Sequence, residues 1–382
     1  MKLLAARLLQ GYALVVGFIL VLALGIANAQ AVSQRAALGY PEAHLASSNE
    51  LASQINRVPE SAPLELATAE SPNILHMPVI YAYPTPTITP SPTPTIPPEP
   101  PWLTYLNRFR TDTGLSPLVE IESWTYGGWL HGRYMVKNDY VGHHEDAGNP
   151  WYTPEGDEAA SSGNVYVSWY ANADDERPID FWMTAPFHAI SMLDPQLHST
   201  GFGIYRENIG NWKTGATLDV IRGRGALPPG TTFPIPYPAD GSVTWLAAYY
   251  GGEFPDPLTS CPGYSPPTGP PLMLQLGGGE LTPQVVGHRL LDGGNQLPSC
   301  IYDETNYVNP DSSMQWTGRI VLNNRDAVVV MPRDPLTPGK SYTVEITTSE
   351  GTFSWSFTVS PDASRDFNSF PIGAQIASVP PQ

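Results

Sequence analysis

The chain has 382 residues, enough for two domains and additional unstructured segments. Its 36 acidic residues outnumber 19 basic ones, for a formal net charge of -17. That balance excludes nucleic-acid binding, which needs a basic face to displace counterions, and disfavours strong docking on anionic membranes.

The first 29 residues read as an export signal. Lys2 and Arg7 form a short positive region, and residues from about Tyr12 to Ile26 are almost wholly apolar. Ala27-Asn28-Ala29 then fits a small-x-small cleavage site. An uncleaved anchor is the alternative, although the apolar run falls short of the ~20 residues that usually span a bilayer. Either reading predicts a secreted or extracytoplasmic protein. In that setting the even cysteine count predicts a disulfide between Cys261 and Cys300.

Residues 30–101 carry little periodic pattern and end in a Pro/Thr-rich spacer from Tyr83. Proline fixes φ and removes a donor, so this stretch is expected to be extended. Helical spacing begins at Trp102, Leu106 and Phe109, with Gly114 as a stop. A second helix is expected over about 120–138, where Ile121, Trp124, Gly128, His131 and Met135 share a face. His131 in that apolar stripe reads first as a satisfied core residue. Residues 139–173, punctuated by Gly142, Gly148, Pro150, Pro154, Gly156 and Gly163, read as irregular. The aromatics Trp151, Tyr152, Tyr166, Trp169 and Tyr170 in it suit either core cover or a platform for a sugar or lipid. A third helix is expected from Asp174 or Asp175, ended or kinked at Pro186, followed by a short helix from Phe187 to Leu193. Strands are expected at Phe202–Tyr205, Thr217–Ile221 and Val243–Tyr250.

These elements predict an α+β fold: an α-β-α sandwich over 102–255, a Pro/Gly-rich linker over 256–271, and a second domain over 272–360. Alternation with period two at Tyr342, Val344 and Ile346, and at Phe353, Trp355, Phe357 and Val359, predicts an all-β immunoglobulin-like sandwich for that second domain. Residues 361–382 are expected to form a loose tail.

Several motifs in 102–250 resemble those of the CAP superfamily, the SCP domain of cysteine-rich secretory proteins, antigen 5 and pathogenesis-related 1. Asn107-Arg108-Phe109-Arg110 through Gly114-Leu115-Ser116-Pro117-Leu118 is similar to the family's opening helix and its exit. Trp182-Met183-Thr184-Ala185-Pro186-Phe187-His188 resembles its Trp-Pro-His segment, with Ala185 where Ser is usual, and Gly201-Phe202-Gly203 resembles the next strand's opening. The resemblance implies a cleft lined by two histidines and two acids, sometimes holding a divalent metal such as zinc. It carries over to His188 and to His143 or His144. The family's Gly-Glu-Asn motif stands here as Ser162-Gly163-Asn164, so that glutamate is missing. Glu155, Asp157 and Glu158, or Glu176 and Asp180 near the third helix, are the substitutes in sequence. Glu145 is placed either to complete the cavity or to orient an imidazole.

Motifs for a catalytic nucleophile are lacking. There is no His-Glu-x-x-His and no Gly-x-Ser-x-Gly, and the cysteines lie far in sequence from His143 and His188. The functional expectation is therefore an exported, non-catalytic module. Its cleft would take a small molecule, a lipid, a metal or a cell-envelope component. The alternative is a metal-dependent hydrolase using His143, His188 and a nearby carboxylate.

Overall fold

The computed structural model describes residues 99–363. The export signal, almost all of the spacer, and the tail beyond residue 363 lie outside the described residues. Among those described, no helix is long and apolar enough to cross a membrane.

Helix α1 (Pro101–Asp112) starts on a proline at its first turn and exits through Gly114, whose φ is 77°. A short strand β1 (Val119–Glu120) leads into α2 (Glu122–Asn138), closed by Asp139 in the left-handed conformation. The stretch expected to be irregular contains α3 (Pro154–Ser162) and β2 (Gly163–Ser168). The turn residues there act as helix punctuation: Thr153 caps α3 by accepting from the Gly156 N–H, and Pro154 occupies the first turn. Helices α4 (Glu176–Thr184) and α5 (Pro186–Met192) meet at Ala185, where Pro186 ends one helix and begins the other. Strands β3 (Ser199–Thr200), β4 (Phe202–Arg206) and β5 (Thr214–Asp219) follow.

β2, β5 and β4 form an antiparallel sheet with β5 in the middle. Register divides its side chains between two faces. Tyr166, Phe202, Ala216 and Leu218 enter the main core, where Phe202 packs on Trp102 of α1 and Trp182 of α4. The opposite face offers Gly203, Gly215 and Thr217 to α2, which approaches through Gly128 and Gly132. A Cβ on Gly203 would lie 1.9 Å from the Trp129 backbone nitrogen, so helix and sheet touch backbone to backbone. The first part is thus an α-β-α arrangement.

The remaining strands build two further sheets. One orders β11 (Ser299–Tyr302), β12 (Ala327–Pro332), β8 (Leu272–Gln275) and β6 (Ile235–Tyr237). The other orders β10 (Asn295–Leu297), β9 (Val285–Asp292), β13 (Ser341–Thr348), β14 (Gly351–Val359) and β7 (Val243–Thr244). The β9–β10 hairpin turns on Gly293-Gly294, both at positive φ.

Three expectations are corrected here. β6 and β7 pair with β8 and β14, so the strands on either side of residue 240 belong to the later sheets and the boundary at 255 does not separate two bodies. The later part is not all-β, because α6 (Ser312–Asn323) stands between β11 and β12. The expected linker is built in: a 3₁₀ turn spans Pro257–Ser260, Tyr249 pairs with Thr268, and buried Cys261 is bonded to Cys300 of β11.

The physical reason lies in β12. Ala327, Val329 and Met331 enter the core shared with the helices, while Val328 and Val330 enter the core between the two later sheets. A strand buried on both faces reads as a continuous apolar run, not as an alternation. The four-stranded sheet is therefore a middle layer. Buried polar contacts reinforce the junction: Gln275 donates to the Leu193 carbonyl at 2.9 Å, and Arg325 donates to Asp194 at 2.9 Å.

Candidate functional site

Pro186 and Phe187 begin α5, which carries His188 on its first turn. The first free amides of a helix need an acceptor. Here a single buried carboxylate supplies it. Oε1 of Glu253 accepts from the Phe187 N–H at 2.7 Å, the His188 N–H at 3.0 Å and His188 Nδ1 at 3.0 Å. Glu253 is only 1% exposed. Burial pushes its pKa up, opposed by the hydrogen bond and charge of His188 and by the two amides. Its other oxygen, Oε2, is buried without a hydrogen-bond partner.

Gly251 and Gly252, both at positive φ, aim Glu253 into this position, and Tyr249 sits beneath it. No sequence signal tied Glu253 to His188, 65 residues earlier. The only local hint is the Gly-Gly pair, which marks a left-handed turn that few other residues allow.

His143 sits against the end of α3. Its Nδ1 meets the Ala160 carbonyl at the end of α3, at 3.0 Å. The side chain keeps solvent access although protein surrounds it on most sides. Its pKa is pushed down to about 4. Burial is the main cause, the Ala160 carbonyl opposes it, and His188, His131 and His144 push it further down. His188 thus lies within electrostatic reach of His143. Asn164, in the Ser-Gly-Asn segment, donates to the His188 carbonyl at 3.3 Å and ties β2 to α5.

The other predicted residues fall elsewhere. His144 points outward, 3.6 Å from Asp157. His131 is fully buried, with Nδ1 on Glu145 at 3.0 Å and Nε2 on the Gly142 carbonyl at 2.9 Å. Glu145 therefore orients His131, and its second oxygen accepts from the Thr153 N–H. Glu155 and Glu176 are exposed in the first turns of α3 and α4. Asp180 is buried at the α1–α4 contact and accepts from the Tyr105 hydroxyl. Glu158 pairs with Arg222. None of these acids joins His143 and His188.

The hydrogen-bond pattern sets what the two imidazoles offer. Each Nδ1 faces an acceptor, so each Nδ1 donates, and Nε2 is the remaining nitrogen of both rings. A resident zinc-type ion needs three or four ligands. Among the described residues no three His, Cys, Asp or Glu side chains are grouped to hold a metal ion. Glu253 Oε1 is already committed to three donors. Among the described residues the two histidines are therefore not joined by a third side-chain ligand.

No family model matches this chain, and no curated protein matches it. Among solved structures it is similar to an extracellular protein containing an SCP domain from Bacillus anthracis str. Ames. That match is 17% identical, covers 32% of this chain and 39% of the other, and has a TM-score of 0.25. The chain thus spans about two-fifths of that protein's length. A second similarity is to CopC from Methylosinus trichosporium OB3b, at 12% identity, 34% of this chain, 94% of the other and a TM-score of 0.18. Likenesses this remote assign neither a fold nor a role to this chain.

Proposed function

We propose that this chain is an exported binding module of CAP-like architecture. Its recess would present the Nε2 atoms of His143 and His188 as a pair of hydrogen-bond acceptors. The observation that carries the reading is Glu253, which fixes the ring of His188 through Nδ1. His143, held neutral above about pH 4, contributes the second lone pair. Such a pair suits a small molecule rich in donors, such as a polyol or a primary amine. The disulfide supports an oxidising, extracytoplasmic setting. The two face-to-face later sheets are what support an immunoglobulin-like reading of the C-terminal part.

The test is imidazole nitrogen NMR on the full chain, titrated with a panel of polyols and primary amines. The Nε2 resonances of His143 and His188 should move together with one member of the panel, and His188→Phe should abolish the response. Nε2 resonances that stay fixed throughout the panel would count against the proposal. So would turnover of an ester, amide or phosphoester substrate that His188→Ala removes.

A further inference from the structure

On the outer side of α2, Tyr126, Trp129, Arg133 and Lys137 follow one another at steps of three, four and four, forming one ridge of the helix. Trp151 completes the group from the turn after α2. That turn is fixed by Asn149, whose side-chain amide donates to Asn138 at 2.7 Å and whose side-chain carbonyl accepts from the Trp151 N–H at 2.9 Å.

The Arg133 guanidinium lies over two indoles, 5.2 Å from the ring centre of Trp129 and 5.4 Å from that of Trp151. Its Nε is buried without a hydrogen-bond partner. Among the described residues no carboxylate or carbonyl takes a hydrogen bond from this side chain. Its terminal nitrogens, unlike Nε, are not enclosed. The neighbouring acid is already engaged: Glu207 takes Lys137 at 2.5 Å and the Tyr205 hydroxyl, and Lys137 in turn lies 4.8 Å from the Trp151 ring centre. In a chain with 36 acids and 19 bases, an arginine held without a counter-ion is conspicuous by chemistry. Contact with two indoles restricts the side chain, so less freedom is lost when its fork meets a planar anion. Beside it, Tyr126 is 58% exposed and parallel to Trp129, at 6.0 Å and an interplanar angle of 9°.

We infer that this ridge is a binding subsite for a carboxylate-bearing saccharide. Arg133 takes the carboxylate through two parallel N–H bonds, and the exposed ring of Tyr126 receives an adjacent sugar face. The site is separate from the His143–His188 recess and does not depend on it.

The probe is a trimer of galacturonic acid, added to the full chain and followed by tryptophan fluorescence and calorimetry. Its methyl ester, which keeps the rings and removes the charge, and free acetate are the controls. The trimer should bind saturably and the ester at least about tenfold more weakly, as loss of a charge-assisted bond requires. Arg133→Gln should weaken the trimer by a similar factor at an unchanged melting temperature, and Tyr126→Ala should weaken it too. Arg133→Lys, which keeps charge but loses the fork, should not restore full affinity. Absence of saturable trimer binding, equal binding of the ester, or indifference to Arg133→Gln overturns the inference. Acetate that binds as tightly as the trimer overturns the saccharide assignment.

Discussion

Replacing Glu253 tests the site most directly. Its Oε1 serves three N–H donors, two of them on the first turn of α5. A hydrogen bond to a charged group contributes about 1.5–3 kcal/mol. Against that sum stands the cost of keeping a carboxylate buried, visible in its raised pKa. Removing one member of a buried pair typically destabilises by about 3–5 kcal/mol. For Glu253→Ala we expect a loss of about 4 kcal/mol, a fall of roughly 8–16 °C in melting temperature for a body of this size. Glu253→Gln keeps a carbonyl for the two amides and loses only the charge, so about half that loss is expected. Thermal unfolding followed by near-ultraviolet circular dichroism at pH 7 reads both. If Glu253→Ala melts within about 1 °C of the parent, Glu253 does not anchor α5, and the fixed orientation of His188 loses its basis.

Other positions yield equally direct tests. Gly203→Ala would drive a Cβ into the Trp129 backbone, 1.9 Å away, and backbone cannot rotate aside; a loss of at least about 3 kcal/mol is expected in denaturant unfolding. The Cys261–Cys300 bond closes a loop of sequence separation 39, worth about 4 kcal/mol through the unfolded chain, so Cys300→Ser should lower the melting temperature markedly under non-reducing conditions and change little under reducing ones. His143, at about 4 in the folded state against about 6.5 unfolded, binds fewer protons when folded. Its contribution is therefore constant above about pH 6.5 and lost as pH falls toward 4. Since the ring keeps solvent access, the amplitude should be about 1 kcal/mol, seen as the difference between parent and His143→Gln melting curves across that range. A fragment covering 102–255 should fail to fold cooperatively, because it lacks β8 and β12; a sharp thermal transition in that fragment would contradict the shared core.

Helices α1, α2, α4 and α5 were legible from periodicity and from Gly114 and Pro186, because amphipathic spacing and breakers are local properties. The short α3 is not legible, because Pro154 and Gly156 suit a loop as well as a helix start, where one begins the helix and the other donates to its cap. The division at 255 went wrong for a different reason. β6 and β7 are too short to show an alternation, and their partners lie 36 or more residues later, so pairing is not readable locally. Within the site, His143 and His188 stood out by residue type and motif. Glu253 did not, since an acid's role depends on which buried donors it meets.

The missing glutamate and the wrong boundary have one explanation. The Ser162-Gly163-Asn164 segment lacks an acid, and the acid that holds His188 comes from the segment joining the helices to the later sheets. That segment is fixed from the far side: Tyr249 pairs with Thr268, and Cys261 is bonded to Cys300 on β11. Tyr302 of β11 and Tyr307 close over Phe187, at 6.2 and 5.1 Å between ring centres. The C-terminal sheets therefore pack directly behind the first turn of α5. Changes in the packing of β11 or in the disulfide should reach His188 through Glu253. If the proposed binding reading holds, variants of β11 should alter binding without altering either histidine, as a shift in ligand affinity at unchanged His143 and His188 would show.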